Sequence, residues 1–405
     1  MSDEVVDTSI VTPVRSPGFL ALLLGGPAVL GLAARLAARF GPKRPFRLGK
    51  RVVAARYGHV RELLERDLDF GIAAVNAGKI REVNGGPFIL GMDRSAVLER
   101  ERRALYAALA AVDMKRLRHE LETDIAERLD SAEAGEKLDA IGSYARPLAA
   151  RTAHRLFGIT GPNPQTFMEV TRSIFGQTFL NLSDDAEVRA RGIRAGELMQ
   201  AWLAAEIGRR RETGEDGDDL MGHLMRQAVL DDDGVRRSLG GMMVGSVDTT
   251  ATCVAKILTV MARQPQLQYS IRQDLGDLDR LYGWCMDALR FWPHNPIVLR
   301  KATSDTELGG LAIKSGESVI AWTQAAMRDP TTFPEPKRLR GDRDPLTYLH
   351  FGGGLHPCSG RPVNHFQIPL LVAGLVARGI GHIGGIKWAG PFPNRLDVTL
   401  RKGRA

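Results

Sequence analysis

The residues with the most to say about chemistry lie in one short segment, 351–360, which reads FGGGLHPCSG and runs straight into a helical pattern. Three consecutive glycines, Gly352, Gly353 and Gly354, let a backbone take positive φ angles and come close to a bulky planar ligand. Pro357 and Gly360 set the turn around Cys358. A sulfur just ahead of a helix N-terminus feels the positive end of the helix dipole and can accept hydrogen bonds from first-turn amides, so its thiolate form is favoured. Those are the surroundings of a metal-bound thiolate. Rival chemistries fit less well. The glycine run lacks the Gly-Lys-Ser/Thr continuation that reaches phosphates and magnesium. His356 and Cys358, two residues apart on one turn, do not make a working nucleophile and base. A cysteine serving only as a small buried hydrophobe would leave its neighbours unexplained.

Two further segments carry an acid, an alcohol or a paired charge. Residues 245–253 read GSVDTTATC and place Asp248 beside Thr249, Thr250 and Thr252 inside an apolar run. β-Branched hydroxyl residues are mediocre helix formers whose side chains bond to carbonyls one turn back, and such a cluster bends or opens a helix. Residues 287–303 read DALRFWPHNPIVLRKAT. Asp287 and Arg290, three apart, share a helix face, and a proline-bearing turn leads to an apolar stretch that holds Arg300. Residues 100–103, RERR, read by themselves as a solvated helix edge.

The segment FGGGLHPCSG resembles the haem-binding signature of the cytochrome P450 family, Phe-Gly-x-Gly-x-His-x-Cys-x-Gly, at every fixed position. The resemblance implies the P450 fold, mainly α with a small β portion, and haem b (iron protoporphyrin IX) as cofactor. It makes Cys358 the axial iron ligand, with Phe351 beneath the haem near the sulfur and His356 at a propionate; a thiolate ligand pushes electron density onto haem iron. It also places Asp248 and Thr249 on a helix across the other face, the hydroxyl directed at the oxygen site and the acid relaying protons. Arg300 and Arg102 then bind propionates, as suits a guanidinium. The implied activity is a monooxygenase that inserts one atom of O2 into an apolar small molecule, of fatty acid, terpenoid or steroid-like type. Its electrons would come from an acidic ferredoxin or flavodoxin-type donor, drawn to a basic face that includes Arg338, Arg340, Arg343 and Arg361.

Three positions depart from the family pattern. Ser246 stands where glycine is usual, implying a narrower or more polar oxygen pocket. Leu98 replaces a histidine four residues before Arg102. Asp287 replaces the glutamate of a Glu-x-x-Arg pair whose third member is matched by Arg338, so the helix shifts towards Arg338 or the cluster is looser. Ser246 and Asp287 motivate a second reading, a peroxide-using peroxygenase or hydroperoxide isomerase of the same fold. A third is a non-catalytic haem-thiolate sensor, against which Asp248 and Thr249 speak.

The elements that must position these residues follow from periodicity. Helices are expected at 59–66, from 95 through the stripe Met114, Leu117, Leu121, Ile125 and Leu129, and at 140–157, 164–180, 186–211, 219–230, 235–262, 266–291 and 362–378. Residues 71–91 read as a long loop, 46–55 as a small hairpin, 297–300 and 311–322 as a minor sheet, 331–346 as a meander, and the C-terminus as two short strands. The chain has 405 residues, 44% of them hydrophobic and 25% charged, which suits a large globular core rather than disorder. We expect a flexible segment at 1–18 and a single P450 domain at 19–405. The net charge of +8 is spread without a basic run or interleaved aromatics, so nucleic acid is not an expected partner. Three cysteines without paired spacing exclude a disulfide framework and suit a reducing cytoplasm. The apolar run 19–34 falls just short of a bilayer span and is interrupted by Gly25, Gly26 and Pro27. Its second half carries Leu32, Leu36 and Phe40 as a stripe to be buried on protein, and membrane association is not expected.

Overall fold

A computed structural model describes residues 27–133, 135–159, 163–181, 184–389 and 392–401; the flexible segment expected at 1–18 and the start of the apolar run lie outside them. These residues group into two compact units. One comprises Asn76–Leu121 and Arg146–Thr249, the other the described parts of Ser16–Val75, Glu122–Ala145 and Thr250–Ala405.

The first unit contains no strand among its described residues. Its helices begin where short polar side chains take up amides that the helix cannot. Ser95 accepts from Leu98 N ahead of Ala96–Ala111, Asn163 from Thr166 N ahead of Pro164–Phe175, and Asp219 from Gly222 N ahead of Leu220–Gln227. Ala186–Thr213 stops at Gly214 in a left-handed conformation (φ 68°). Buried charges are answered in kind: Arg210 meets Glu206 and Asp219 at 2.9 Å each, and Arg237 meets Glu101 at 2.8 Å. The long loop expected at 71–91 is instead largely the helix Ala73–Asn84. Its residues are mostly half-exposed, with only Val83 and Asn84 buried, and Gly78 sits within it. No apolar stripe therefore marked it as a helix.

The second unit carries all the described strands. A five-stranded sheet runs in the order Phe46–Leu48, Arg51–Ala54, Ser318–Ala321, Val298–Ala302, Phe70–Gly71. Only Arg51–Ala54 and Ser318–Ala321 pair in parallel. Ile380–Ala389 and Phe392–Leu400 form a hairpin joined by Lys137–Asp139; these strands are longer than the short pair expected, because Gly381, Gly384 and Gly385 had thinned the apolar signal. Core helices of this unit include Leu278–Phe291 and Arg361–Arg378.

Three helices differ from their expected outlines. Residues 266–291 split into Gln266–Gln273 and Leu278–Phe291 at Gly276, with Asp277 capping the second. The helix expected at 235–262 divides into Asp232–Val244 and Asp248–Arg263, with turn and bend at 245–247. Lys256 lies buried in that second helix, satisfied by the carbonyls of Pro293 at 2.8 Å and His294 at 3.3 Å. The helix Pro27–Phe40 faces the opposite way from expectation: Ala34 and Ala38 are buried while Leu32, Leu36 and Phe40 are 56%, 50% and 72% exposed. Ala34 packs with Ala55 and Ala325, a close approach that only small side chains permit. The stretch Asp232–Arg263 is, among the described residues, the one helical segment long and apolar enough to cross a membrane, and most of it is buried inside the protein.

Candidate functional site

The cysteine segment closes on itself. The Cys358 amide donates to the Phe351 carbonyl at 2.8 Å, and Gly352 N donates to Leu349 O at 3.3 Å. Gly352 and Gly354 have φ of 70° and 63°, where L side chains are strained. A Cβ on Gly354 would also run into the backbone of Leu64, whereas one on Gly353 would meet nothing nearer than Leu64 Cβ at 3.8 Å. The loop thus needs two of its three glycines, and it opens directly into Arg361–Arg378, for which Gly360 is the N-cap.

Cys358 is half-buried and free. Loss of water pushes its thiol up from the ordinary value, and the Gly360 amide, bonded to the sulfur, pulls it down. Burial wins, so the thiol form is favoured. Ser359, next to it, is buried. Thr250 Oγ1 lies 3.2 Å from Asn364 Oδ1 and 3.3 Å from Gln367 Oε1, tying Asp248–Arg263 to the helix that follows the cysteine.

The other expected residues are placed as follows. Phe351 and His356 are half-buried parts of the same loop as Cys358, and the His356 carbonyl faces Gly352. Arg300 is buried on Val298–Ala302 and donates to the Leu299 carbonyl at 2.9 Å. Arg102 lies over the Tyr106 ring at 4.9 Å, and its Nε is buried with no hydrogen-bond partner among the described residues. An orphaned guanidinium nitrogen of this kind fits a carboxylate-bearing ligand. In the other unit the sulfur and the glycine loop are, by themselves, compatible with haem.

Asp248 is buried at the first turn of its helix, where negative charge is favoured. One carboxylate oxygen accepts from Arg146 Nε at 2.6 Å, and the other lies 3.7 Å from Arg172 Nε. Burial, reinforced by the neighbouring Arg146, holds Arg172 below its ordinary range, and Asp248 opposes that. The Thr249 hydroxyl donates to Gly245 O at 2.5 Å and Ser246 Oγ to Met243 O at 2.7 Å, taking up carbonyls at the helix interruption.

Asp287 is fully buried, but its third partner is not Arg338. Arg338 is an exposed side chain beside Glu335 at 3.5 Å, whereas Arg343 Nε meets Asp287 Oδ1 at 3.1 Å. Arg343 is therefore removed from any basic outer face. Arg146, Arg172 and Tyr348 are the residues that sequence reasoning missed, while Arg343, expected on the basic face, is instead a partner of Asp287. Only Arg146 left a signal: it shares the buried spacing of Ala149, Ala150, Ala153 and Phe157.

The cytochrome P450 family profile matches residues 188–378. The mycinamicin IV hydroxylase/epoxidase of Micromonospora griseorubida is 30% identical over 305 residues, 73% of this chain and 72% of the relative. Biflaviolin synthase CYP158A1 of Streptomyces coelicolor is 28% identical over 93% of this chain and 92% of its own. The solved structure of cytochrome P450 CYP109Q5 from Chondromyces apiculatus superposes with a TM-score of 0.78 at 19% identity, covering 94% of this chain and 98% of that one.

Three substitutions test this geometry. Gly354→Ala should block closure of the loop and abolish pigment uptake, while Gly353→Ala should be tolerated, as read by absorbance of the purified proteins. Asp248→Asn should lower the unfolding free energy by about 3 kcal/mol in denaturant titration, because it removes the buried negative charge that Arg146 Nε meets at 2.6 Å.

Proposed function

The chain belongs to the cytochrome P450 family, and on that premise we propose that Cys358 is the axial ligand of its haem b and that its monooxygenase chemistry acts on an apolar small molecule. When bound, the haem supplies the oxygen activation that amino-acid side chains lack. The observation that carries the reading is the sulfur of Cys358, presented at the head of Arg361–Arg378 by a loop that only glycine at 352 and 354 can close.

The chain's own residues divide the remaining tasks. Gly360 N and the Phe351 carbonyl hold the cysteine in place. Arg102, Arg300 and His356 answer the carboxylates of the cofactor, a role supported by the orphaned Nε of Arg102. Thr249 offers a hydroxyl and Asp248 a carboxylate for moving protons. In the resting arrangement the hydroxyl is committed to Gly245 O and the carboxylate to Arg146, so proton movement requires one of these contacts to open.

Residues 19–405 act as a single P450 domain in this reading. The substrate is of fatty acid, terpenoid or steroid-like type; relatives named for mycinamicin IV and biflaviolin support a small organic molecule. Electrons come from an acidic ferredoxin or flavodoxin-type donor, met by exposed Arg338 and Arg361. Three free cysteines suit a cytoplasmic location.

A second reading, use of peroxide without a donor, is favoured by the Arg146–Asp248 contact at 2.6 Å. An acid held this tightly is poorly placed to feed protons to dioxygen, and peroxide brings its own.

The ferrous carbon monoxide complex should show a strongly red-shifted Soret band that Cys358→Ala abolishes; a colourless protein under ample porphyrin supply would sink the proposal. Turnover with a ferredoxin system and O2 should exceed turnover with peroxide alone. The reverse ranking selects the second reading.

A further inference from the structure

Asp287 is one methylene shorter than the glutamate its motif leads one to expect, yet its carboxylate is fully buried and fully engaged. Oδ1 accepts from Arg290 Nε at 2.8 Å, Arg343 Nε at 3.1 Å and the Tyr348 hydroxyl at 3.0 Å. Oδ2 accepts from Arg340 N at 2.8 Å, with an Arg290 terminal nitrogen at 3.4 Å. Arg290 directs its remaining donors to the carbonyls of Met327, Pro336 and Arg338, at 3.2, 2.8 and 3.2 Å. A buried carboxylate is tolerated only when its lone pairs are occupied in this way. The Arg338 side chain lies beside Glu335, and Arg343 and Tyr348 complete the set of side chains on Asp287.

Tyr348 also stands where the cysteine loop begins. Leu349 N donates to Met327 Sδ at 3.3 Å, and His350 Nε2 donates to Met286 O at 2.8 Å, one residue before Asp287 on the same helix. The next residue is Phe351, whose carbonyl receives the Cys358 amide. Three successive side chains or amides are thus pinned to Leu278–Phe291 and Met327 just before the loop. Burial and the Asp287 charge hold the Tyr348 phenol in its protonated, donating form at any ordinary pH.

We propose that Tyr348 is a positioning residue for Cys358: its hydrogen bond to the shortened acid Asp287 sets the height at which the glycine loop presents the sulfur. The inference rests on Cys358 being the iron ligand. Asp287 and Tyr348 therefore form a matched pair, in which a longer acid requires a shorter aromatic residue.

The test compares full-length haem-loaded Tyr348→Phe, Asp287→Glu and the double variant. Its readouts are the ratio of thiol- to thiolate-ligated ferrous carbon monoxide complex and the thermal unfolding midpoint. Tyr348→Phe should raise that ratio about tenfold, the consequence of removing one hydrogen bond to a buried charge. Asp287→Glu should raise it as well, because the added methylene drives the carboxylate against the phenol. The double variant should return towards the parent, since the longer acid occupies the place of the lost oxygen. A parental ratio in Tyr348→Phe, even with a lowered midpoint, would overturn the proposal and leave Tyr348 a stabilising residue only; so would additive loss in the double variant. If Asp287→Glu does not fold, Tyr348→Phe alone decides. Survival of the red-shifted band in Cys358→Ala would instead defeat the assignment of the ligand.

Discussion

On the proposal that Cys358 holds the haem iron, an anionic sulfur in a place short of water is the constraint from which much of this protein follows. Burial favours the thiol form of Cys358, and a single backbone amide, that of Gly360, opposes it. The helix that begins at Arg361 adds a dipole that favours the anion, by up to about 2 kcal/mol in a partly buried geometry. In the proposed assignment a haem iron placed against the sulfur supplies the remainder. The surrounding elements then have a geometric duty. They must hold one sulfur at one height with backbone that does not yield.

The same economy appears in three buried clusters. Asp248 lies between Arg146 and Arg172, Asp287 between Arg290 and Arg343, and Arg210 between Glu206 and Asp219. Arginine suits these positions because its planar fork satisfies several acceptors at once, and surplus donors can go to carbonyls, as Arg290 shows. Such clusters contribute little net stability compared with apolar packing, but they fix which segments meet. In the second unit the Asp287 cluster gathers residues 334–348 onto one helix, including stretches that have no regular structure of their own.

The parts legible from sequence were those whose requirement is local. The FGGGLHPCSG loop could be read because glycines, cysteine and helix start lie within ten residues, and the structure puts positive φ at Gly352 and Gly354. Cap residues such as Ser95 and Asn163 mark their helices for the same reason. What escaped was long-range. Arg343 reaches Asp287 across 56 residues, and Arg338, the expected partner, offers Asp287 no side chain and instead lends its carbonyl to Arg290. Ala73–Asn84 was missed because a helix without a buried stripe has no periodicity to detect. The orientation of Pro27–Phe40 escapes a reading in which large apolar residues face inward, because Ala34 is the residue that packs with Ala55 and Ala325, and Ala38 is buried as well.

The interruption at 245–247 bears on how protons reach the site. A helix break frees carbonyls, and the hydroxyls of Ser246 and Thr249 take up those of Met243 and Gly245. A hydroxyl has one proton, so while Thr249 donates to Gly245 it cannot donate elsewhere, and its lone pairs remain its only free function. Asp248 is likewise engaged on both oxygens. The resting protein therefore keeps both proposed proton carriers in closed circuits. For either to act, the Thr249 side chain must rotate away from the carbonyl or Asp248 must part from an arginine, and the second step exposes a buried cation. The cheaper motion is the rotation of Thr249, since Gly245 lies in a turn rather than inside a helix and its carbonyl can turn to another donor. Ser246, where glycine is usual, already holds a neighbouring carbonyl of that turn and so adds a further contact to the segment that would have to relax.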